Sequence, residues 1–119
     1  TAGLLMAKTR KVLTPTQQER ILERNRELRD THEQTFIRDG YACVECGARY
    51  GLQEHHILGR RAHPSRILEA RNRVTLCGRC HCPMIHTKAG RRKLIALMQT
   101  KYGYDYSDLD YSQYLEETP

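Results

Sequence analysis

The sequence predicts a small α+β domain, built on a two-stranded antiparallel hairpin with helices on either side. Two Cys-x-x-Cys pairs, Cys43/Cys46 and Cys77/Cys80, bracket the middle of the chain. Two short β-prone runs lie between these pairs, and stretches with helical spacing of apolar residues precede and follow them. With 119 residues, of which 39% are hydrophobic, we expect one domain with a small core.

The two cysteine pairs predict a structural zinc ion. Each Cys-x-x-Cys turn directs two thiolates at one point, and two such turns complete a tetrahedral four-cysteine shell with no open position. Five cysteines fit a disulfide scheme poorly, because one is left over. The chain also has no apolar run long enough for a membrane span and no signal peptide, so we expect a cytoplasmic location with reduced thiols.

Positive charge is concentrated ahead of the last sixteen residues. The chain has 20 basic and 14 acidic residues, and five of the acidic ones follow Gly103, which leaves 20 basic against 9 acidic residues before that point. This balance is typical of a protein that binds a polyanion, and a nucleic acid is the expected partner. The alternative is that the arginines solvate a small surface.

The N-terminal part predicts a basic, flexible lead-in over residues 1–14 and then a long helix. Thr14 followed by proline is a helix start signal, and Asp39-Gly40 is an end signal, so the helix runs from residue 15 to about Arg38. Its apolar residues are sparse, which predicts a charged outer helix that packs through a narrow stripe. The stripe consists of Ile21, Leu22, Leu28, Phe36 and Ile37. Phosphate contacts are the alternative role for Arg20, Arg24 and Arg26.

The middle of the chain predicts strand, loop, strand and short helix. Tyr50–Ile57 forms the first strand, a polar loop runs from Leu58 to about Arg71, and Arg73–Leu76 forms the second strand. A short helix is expected over His81–Thr87, with Pro83 tolerated in its first turn.

The C-terminal part predicts one more helix and a tail. Gly90 marks a break or a weak point, and Arg91–Tyr102 has the apolar periodicity of a helix that ends at Gly103. Residues 104–119 form an acidic tail rich in tyrosine. These rings either cap the small core or form a surface for a partner.

The segment Tyr41–His86 resembles the HNH nuclease family, in its zinc-pinned, phage-type branch of the ββα-metal nucleases. Four features coincide: the two Cys-x-x-Cys pairs, the double histidine His55-His56, the run N-x-V-x-L-C, and a histidine directly after the second pair. The resemblance covers a little over a third of the chain. It implies a ββα-metal core over residues 41–86 within a nuclease domain spanning 15–103.

The resemblance also implies a role for each residue that matches the motif. His56, Asn72 and His81 form the H-N-H triad, in which His56 is the general base and Asn72 orients the loop between the strands. His55 and His81 are implied ligands of a catalytic divalent metal, and His86 resembles a third ligand.

The spacing of His86 departs from the family pattern. Relatives commonly have three residues between the last two histidines, and this chain has four, Cys82 to Ile85. One extra residue rotates a helical side chain by about 100°. Either the first turn of the helix is distorted at Pro83, or His86 is not a ligand.

The implied activity is hydrolysis of a DNA phosphodiester with little sequence preference, leaving 5′-phosphate and 3′-hydroxyl ends. An imidazole with a pKa of about 6.5 can deprotonate water, and a divalent cation neutralises the phosphoryl oxygens. We expect Mg²⁺ or Mn²⁺ as the cation, inhibition by Zn²⁺, and a single site that nicks unless two copies act together. The resemblance suggests phage DNA packaging beside the terminase. The predicted phosphate contacts are Arg60, Arg61 and Arg66.

The other class that fits is a non-catalytic zinc module that binds DNA or a protein. Such a module has no need of the complete set His56, Asn72 and His81. Among nearby residues, His63 is expected to be structural, and Cys82 is a bystander thiol or exchanges with a zinc ligand. Glu54 either orients an active-site side chain or lies on the surface.

Overall fold

The computed structural model describes residues 12–115. The predicted lead-in therefore lies almost wholly outside the described residues, as do the last two acidic residues of the tail, Glu116 and Glu117. The chain divides into two compact units, one ending at Asp30 and the other beginning at Thr31. Within residues 12–115, no helix is both long enough and apolar enough to cross a membrane.

The first helix, α1, spans Pro15–Arg38, as predicted. Its start is a capping box: the Gln17 backbone N–H donates to Thr14 Oγ1 at 3.1 Å, and the Thr14 N–H donates to Gln17 Oε1 at 2.9 Å. Its end is followed by Gly40 in the left-handed conformation, with a φ of 69°. Residues close to each helix end in the chain form both caps. For that reason both ends could be predicted from the sequence.

The apolar stripe predicted on α1 is wrong in part. Ile37 is 58% exposed, and Thr35 is the buried residue of the helix. In the first unit, Ile21 is 44% and Leu22 is 61% exposed. Three of the five residues of the predicted stripe are therefore exposed.

Polar contacts at the end of α1 join it to the hairpin instead. Arg38 and Asp39 form a two-pronged ion pair, with Nε to Oδ1 at 2.9 Å and Nη2 to Oδ2 at 3.1 Å. Arg38 Nη2 also donates to the Arg73 carbonyl at 2.6 Å, and Asp39 Oδ2 accepts the Thr75 N–H at 3.0 Å. Burial by itself would raise the pKa of Asp39, but these hydrogen bonds and one from Tyr102 lower it overall.

The hairpin consists of β1, Leu52–His56, and β2, Arg73–Cys77, paired antiparallel. The predicted first strand was three residues too long, and the second was one residue too short. Leu52 lies opposite Cys77, and His56 lies opposite Arg73. All five residues of β2 are buried, so this strand forms the centre of the core.

Helix α2 spans Gly78–Ile85, so it begins three residues and ends two residues earlier than predicted. Cys77 is its N-cap residue, so the second cysteine turn is already helical. Pro83 therefore lies inside the helix and not in its first turn, which corrects the prediction. Proline at this position removes the N–H that would otherwise donate to the Arg79 carbonyl.

Helix α3 spans Lys88–Tyr102, and the break predicted at Gly90 is wrong. Thr87 caps the helix, with the Gly90 N–H donating to its Oγ1 at 2.9 Å. A Cβ atom at Gly90 would lie 2.3 Å from the Pro83 carbonyl oxygen and 2.4 Å from the Met84 Cα. The glycine thus permits two helices to touch through their backbones. Gly103, with a φ of 69°, ends α3 as predicted.

The described part of the tail packs into the core and includes a short helix, α4, at Leu109–Ser112. Tyr106 and Tyr111 are fully buried. The Tyr106 hydroxyl donates to the Arg71 carbonyl at 2.5 Å, and the Tyr111 hydroxyl donates to Glu69 Oε1 at 2.9 Å. Of the two roles considered for the tyrosines, core capping is therefore the one confirmed.

Candidate functional site

The four paired cysteines converge. Their Sγ atoms all lie within 4.8 Å of one another, and Cys46 Sγ is 3.5 Å from Cys77 Sγ. None of the five cysteines is in a disulfide. Zinc–sulfur bonds of about 2.3 Å in a tetrahedron place sulfurs about 3.8 Å apart, so this cluster fits a structural metal ion such as zinc. The prediction of a four-cysteine metal site is confirmed to that extent.

Local backbone geometry directs these thiols. Gly47, with a φ of 78°, closes the first turn, and its N–H donates to the Cys43 carbonyl at 2.8 Å. Cys77 stands at the N-terminus of α2, where the backbone N–H of Cys80 lowers the pKa of the Cys77 thiol to about 7. Free N–H groups at a helix start favour a thiolate, which is the form that binds metal.

Three predicted ligands of the catalytic cation lie side by side. The rings of His55 and His81 stack with centroids 4.6 Å apart and an interplanar angle of 13°. The rings of His81 and His86 meet edge to face at 5.7 Å. The hairpin contributes the first histidine, and α2 with its C-terminal cap contributes the other two.

Two nitrogens in this histidine cluster lack hydrogen-bond partners although they are buried: His55 Nε2 and His81 Nδ1. Burial, together with the nearby rings of His81, His56 and His86, lowers the pKa of His55 to about 4. His55 is therefore neutral at physiological pH. Neutral imidazoles with unused buried nitrogens have the donor chemistry that a metal ion requires.

A closer group of possible metal ligands, which was not predicted from the sequence, includes two of these histidines. One ligand atom each from His81, Cys82 and His86 lies within 4.8 Å of the others. His81 Nε2 is 3.7 Å from Cys82 Sγ. Helix α2 continues through Pro83, and the His86 N–H still donates to the Cys82 carbonyl at 3.3 Å. The signal in the sequence was the four-residue step from Cys82 to His86, which places both on one helix face.

His56 and Asn72 lie where the loop between the strands begins and ends. Asn72 is fully buried; its Oδ1 accepts the Leu58 N–H at 2.7 Å, and its Nδ2 donates to the carbonyls of Leu58 at 3.2 Å and Arg66 at 3.1 Å. His56 Nε2 is 3.1 Å from the Ile67 carbonyl oxygen. Burial lowers the pKa of His56, although the Glu54 carboxylate and this carbonyl act the other way.

A cavity of about 330 Å³ opens beside both histidines of β1. The side chain of Glu54 is only 2% exposed, so the interpretation of it as a surface carboxylate is wrong; its Oε1 is 3.1 Å from His32 Nε2. His32 comes from α1, and the sequence analysis did not single it out. The cavity is lined by His32, Glu54, His55, His56, Gly59 and Arg60.

The three arginines predicted to bind phosphate have different surroundings. Arg60 and Arg61 are exposed, and neither donates a hydrogen bond to another of the described residues. Arg66 instead pairs with Asp108 at 2.9 Å and Asp110 at 3.1 Å. Its guanidinium is occupied by the tail, so Arg66 is not placed to clamp a phosphate, and the prediction for it is corrected. Charge pairing across 42 residues leaves no local signal in a sequence.

The remaining histidine, His63, lies outside this cavity. Its Nδ1 is 3.8 Å from Asp110 Oδ2, and its backbone N–H donates to the Gly59 carbonyl at 2.9 Å. These contacts agree with the structural role expected for it.

Comparisons of this chain with protein-family models, with curated proteins and with solved structures find no match. The fold and site by themselves define a small α+β protein with a two-stranded hairpin, flanking helices and a cysteine cluster that can hold a metal ion. The HNH resemblance and the activity that it implies stay predictions.

Proposed function

We propose that this protein is a metal-dependent DNA endonuclease of the HNH type. One observation carries the proposal: a half-buried imidazole, His56, hydrogen-bonded to the Ile67 carbonyl, lines an open cavity together with His55. The His55 ring stacks on that of His81, which in turn contacts His86. A structural module has no need to gather imidazoles with unpartnered buried nitrogens at one place. A phosphodiesterase needs both a base and ligands for a cation there.

His56 is the proposed general base. With Nε2–H donating to the Ile67 carbonyl, the lone pair is on Nδ1, which is the nitrogen available to a water molecule. Because burial lowers the pKa of His56, the ring is neutral at pH 7 and can accept a proton. The carbonyl then stabilises the ring orientation while Nδ1 holds the proton.

The residues that would hold the catalytic cation are His55 and His81, with His86 beside them. The unpartnered buried nitrogens of His55 and His81 support this assignment. When bound, a divalent cation supplies charge to neutralise the phosphoryl oxygens and the leaving oxygen. The three imidazoles contribute no charge of their own, so a dianionic transition state relies on the cation and on nearby arginines.

The surrounding residues position the base and the substrate. Asn72 joins both ends of the interstrand loop, which carries the Ile67 carbonyl that orients His56. Arg60 lines the cavity, and Arg61 follows it on the exposed loop. Both guanidinium groups are available for bidentate contacts to flanking phosphates.

The second candidate is a non-catalytic zinc module that binds DNA. The observation in its favour is that the four-cysteine cluster is complete without any histidine, so the domain can fold with no second metal. It does not explain why His55, His56 and His81 are neighbours.

Cleavage of supercoiled plasmid distinguishes the two candidates. With Mg²⁺ or Mn²⁺ we expect nicked circles, and EDTA should prevent them. His56→Ala should slow nicking by about 100- to 10,000-fold, the usual contribution of a general base, while DNA affinity and zinc content stay as in the wild type. His63→Ala is the matched control and should cleave normally, because that ring pairs with the tail. Absence of cleavage with every divalent metal, alongside intact DNA binding, would favour the zinc module.

A further inference from the structure

We propose that His81, Cys82 and His86 together bind a divalent transition-metal ion of the zinc, cobalt or nickel class. One ligand atom from each of the three lies within 4.8 Å of the other two, the same limit that the four-cysteine cluster meets. The inference rests on the proposed function, because His81 is also a proposed ligand of the catalytic cation. It adds a thiolate beside that site, so a tightly held ion of this class would compete for His81 with the Mg²⁺ or Mn²⁺ expected to support cleavage.

The measured spacing agrees with a shared metal ion. A zinc ion with one nitrogen at about 2.0 Å and one sulfur at about 2.3 Å in a tetrahedron holds those two atoms about 3.5 Å apart. His81 Nε2 and Cys82 Sγ are 3.7 Å apart. Binding therefore needs only small side-chain movements, with the thiol proton released to solvent as the thiolate coordinates.

The helix explains why this group forms. Cys82 and His86 are four residues apart, so their side chains lie on the same face of α2 and its C-terminal cap. The His86 N–H donates to the Cys82 carbonyl, which keeps the helical turn closed between them. His81 precedes Cys82 by one residue, and its ring is turned so that Nε2 faces the sulfur. The extra residue that separates His86 from His81 is thus the one that aligns His86 with a thiol.

The accessibility of the three ligands differs from that of the cysteine cluster. Cys82 and His86 are exposed and His81 is half-buried, whereas three of the four cluster cysteines are buried and Cys46 is the exposed one. Three protein ligands also leave a tetrahedral ion one open position. A metal ion at the proposed site could therefore exchange with solvent and accept an oxygen ligand such as water or phosphate. A closed four-cysteine site permits neither.

The donor set decides the metal class. One thiolate and two imidazoles favour Zn²⁺, Co²⁺ or Ni²⁺, and disfavour Mg²⁺ and Mn²⁺, which prefer oxygen ligands. Cys82 thus makes the site a borderline-soft one. It follows that low concentrations of Zn²⁺ should occupy the site in the presence of a large excess of Mg²⁺.

Cobalt titration of the full chain, already loaded with one equivalent of zinc, tests the proposal. The wild type should bind a second metal ion with a sulfur-to-cobalt charge-transfer absorption while retaining its zinc. Cys82→Ser should lose that absorption and weaken cobalt binding by more than about 100-fold, because even outer-shell partners of a metal are worth about 10- to 100-fold. His63→Ala, outside the group, should titrate as the wild type does.

His55→Ala separates this site from the alternative set of His55, His81 and His86. If Cys82 is a ligand, His55→Ala should retain the charge-transfer absorption. Loss of cobalt binding in His55→Ala, together with unchanged binding in Cys82→Ser, would overturn the proposal and favour the all-histidine set. Failure of the wild type to bind a second ion would also overturn it.

The two proposals fail in different ways. If His56→Ala and the wild type both leave plasmid intact, and cobalt still binds through Cys82, then the nuclease proposal fails and the thiolate site stands. If plasmid is nicked normally by Cys82→Ser, with cobalt absorption also unchanged, then the nuclease proposal stands and the thiolate site fails.

Discussion

Replacing Asn72 with alanine is expected to destabilise the domain through the loop between the strands. Asn72 is fully buried, and its side-chain amide makes hydrogen bonds to Leu58 N–H, to the Leu58 carbonyl and to the Arg66 carbonyl. No other side chain in the described residues bonds to these three groups in its place. The loop would lose these three side-chain bonds and keep the backbone bond from the Ile57 N–H to the carbonyl of residue 72.

The loss of unfolding free energy in Asn72→Ala can be estimated from the backbone groups that lose their hydrogen-bond partner. The Leu58 N–H belongs to a residue that is 1% exposed, so it cannot turn to solvent, and an orphaned buried donor costs about 1–3 kcal/mol. Each carbonyl loses a bond worth about 1 kcal/mol. We therefore expect Asn72→Ala to lower the free energy of unfolding by about 3–5 kcal/mol, a large part of the stability of a small domain.

Equilibrium urea unfolding of the zinc-loaded protein measures this difference. Thr75→Val is the matched control: Thr75 Oγ1 is buried on β2 with no hydrogen-bond partner, so removing that hydroxyl should leave the stability unchanged or raise it. Hydrogen exchange at the Leu58 amide should be slow in the wild type and faster in Asn72→Ala. The reasoning would be refuted if Asn72→Ala lost less than about 1 kcal/mol, the worth of a single hydrogen bond, or if both variants lost equally.

Two further predictions concern the metal cluster and the helix contact. Cys77→Ser should unfold the domain or lower its melting temperature steeply, because metal binding to four-cysteine sites supplies folding free energy; a melt identical to that of the wild type, with zinc content unchanged, would contradict it. Gly90→Ala should cost about 1–3 kcal/mol in urea unfolding, since its Cβ would overlap the backbone of Pro83 and Met84. Gly59→Ala, where a Cβ meets nothing within 4 Å, should be neutral, and equal costs at both glycines would refute the steric argument.

Features that depend on neighbouring residues could be predicted from the sequence. The ends of α1 are defined by Thr14 with its proline and by Gly40, because capping is a local matter of orphan N–H groups and a left-handed turn. Gly103 ends α3 for the same reason. The cysteine pairs also predicted their own convergence, since a Cys-x-x-Cys turn is a short-range motif.

Features that depend on residues distant in the chain could not be predicted from the sequence. Gly90 was expected to break a helix, and it is instead the point where α3 touches α2. Arg66 was expected to face a phosphate, and it faces carboxylates from the tail. In both cases the deciding neighbour is remote in the chain or in a different helix, and propensity carries no information about it.

The sequence by itself determined the class of the fold, the cysteine cluster and the set of histidines worth examining, because periodicity, caps and ligand spacing are encoded within a few residues. Only the tertiary structure decided which side chains meet: that His32 reaches buried Glu54, that the tyrosines close the core, and that Cys82 joins two histidines. Buried charges pair and aromatic rings pack between elements that are distant in the chain. Which elements come into contact depends on the folded structure, and no short stretch of sequence encodes it.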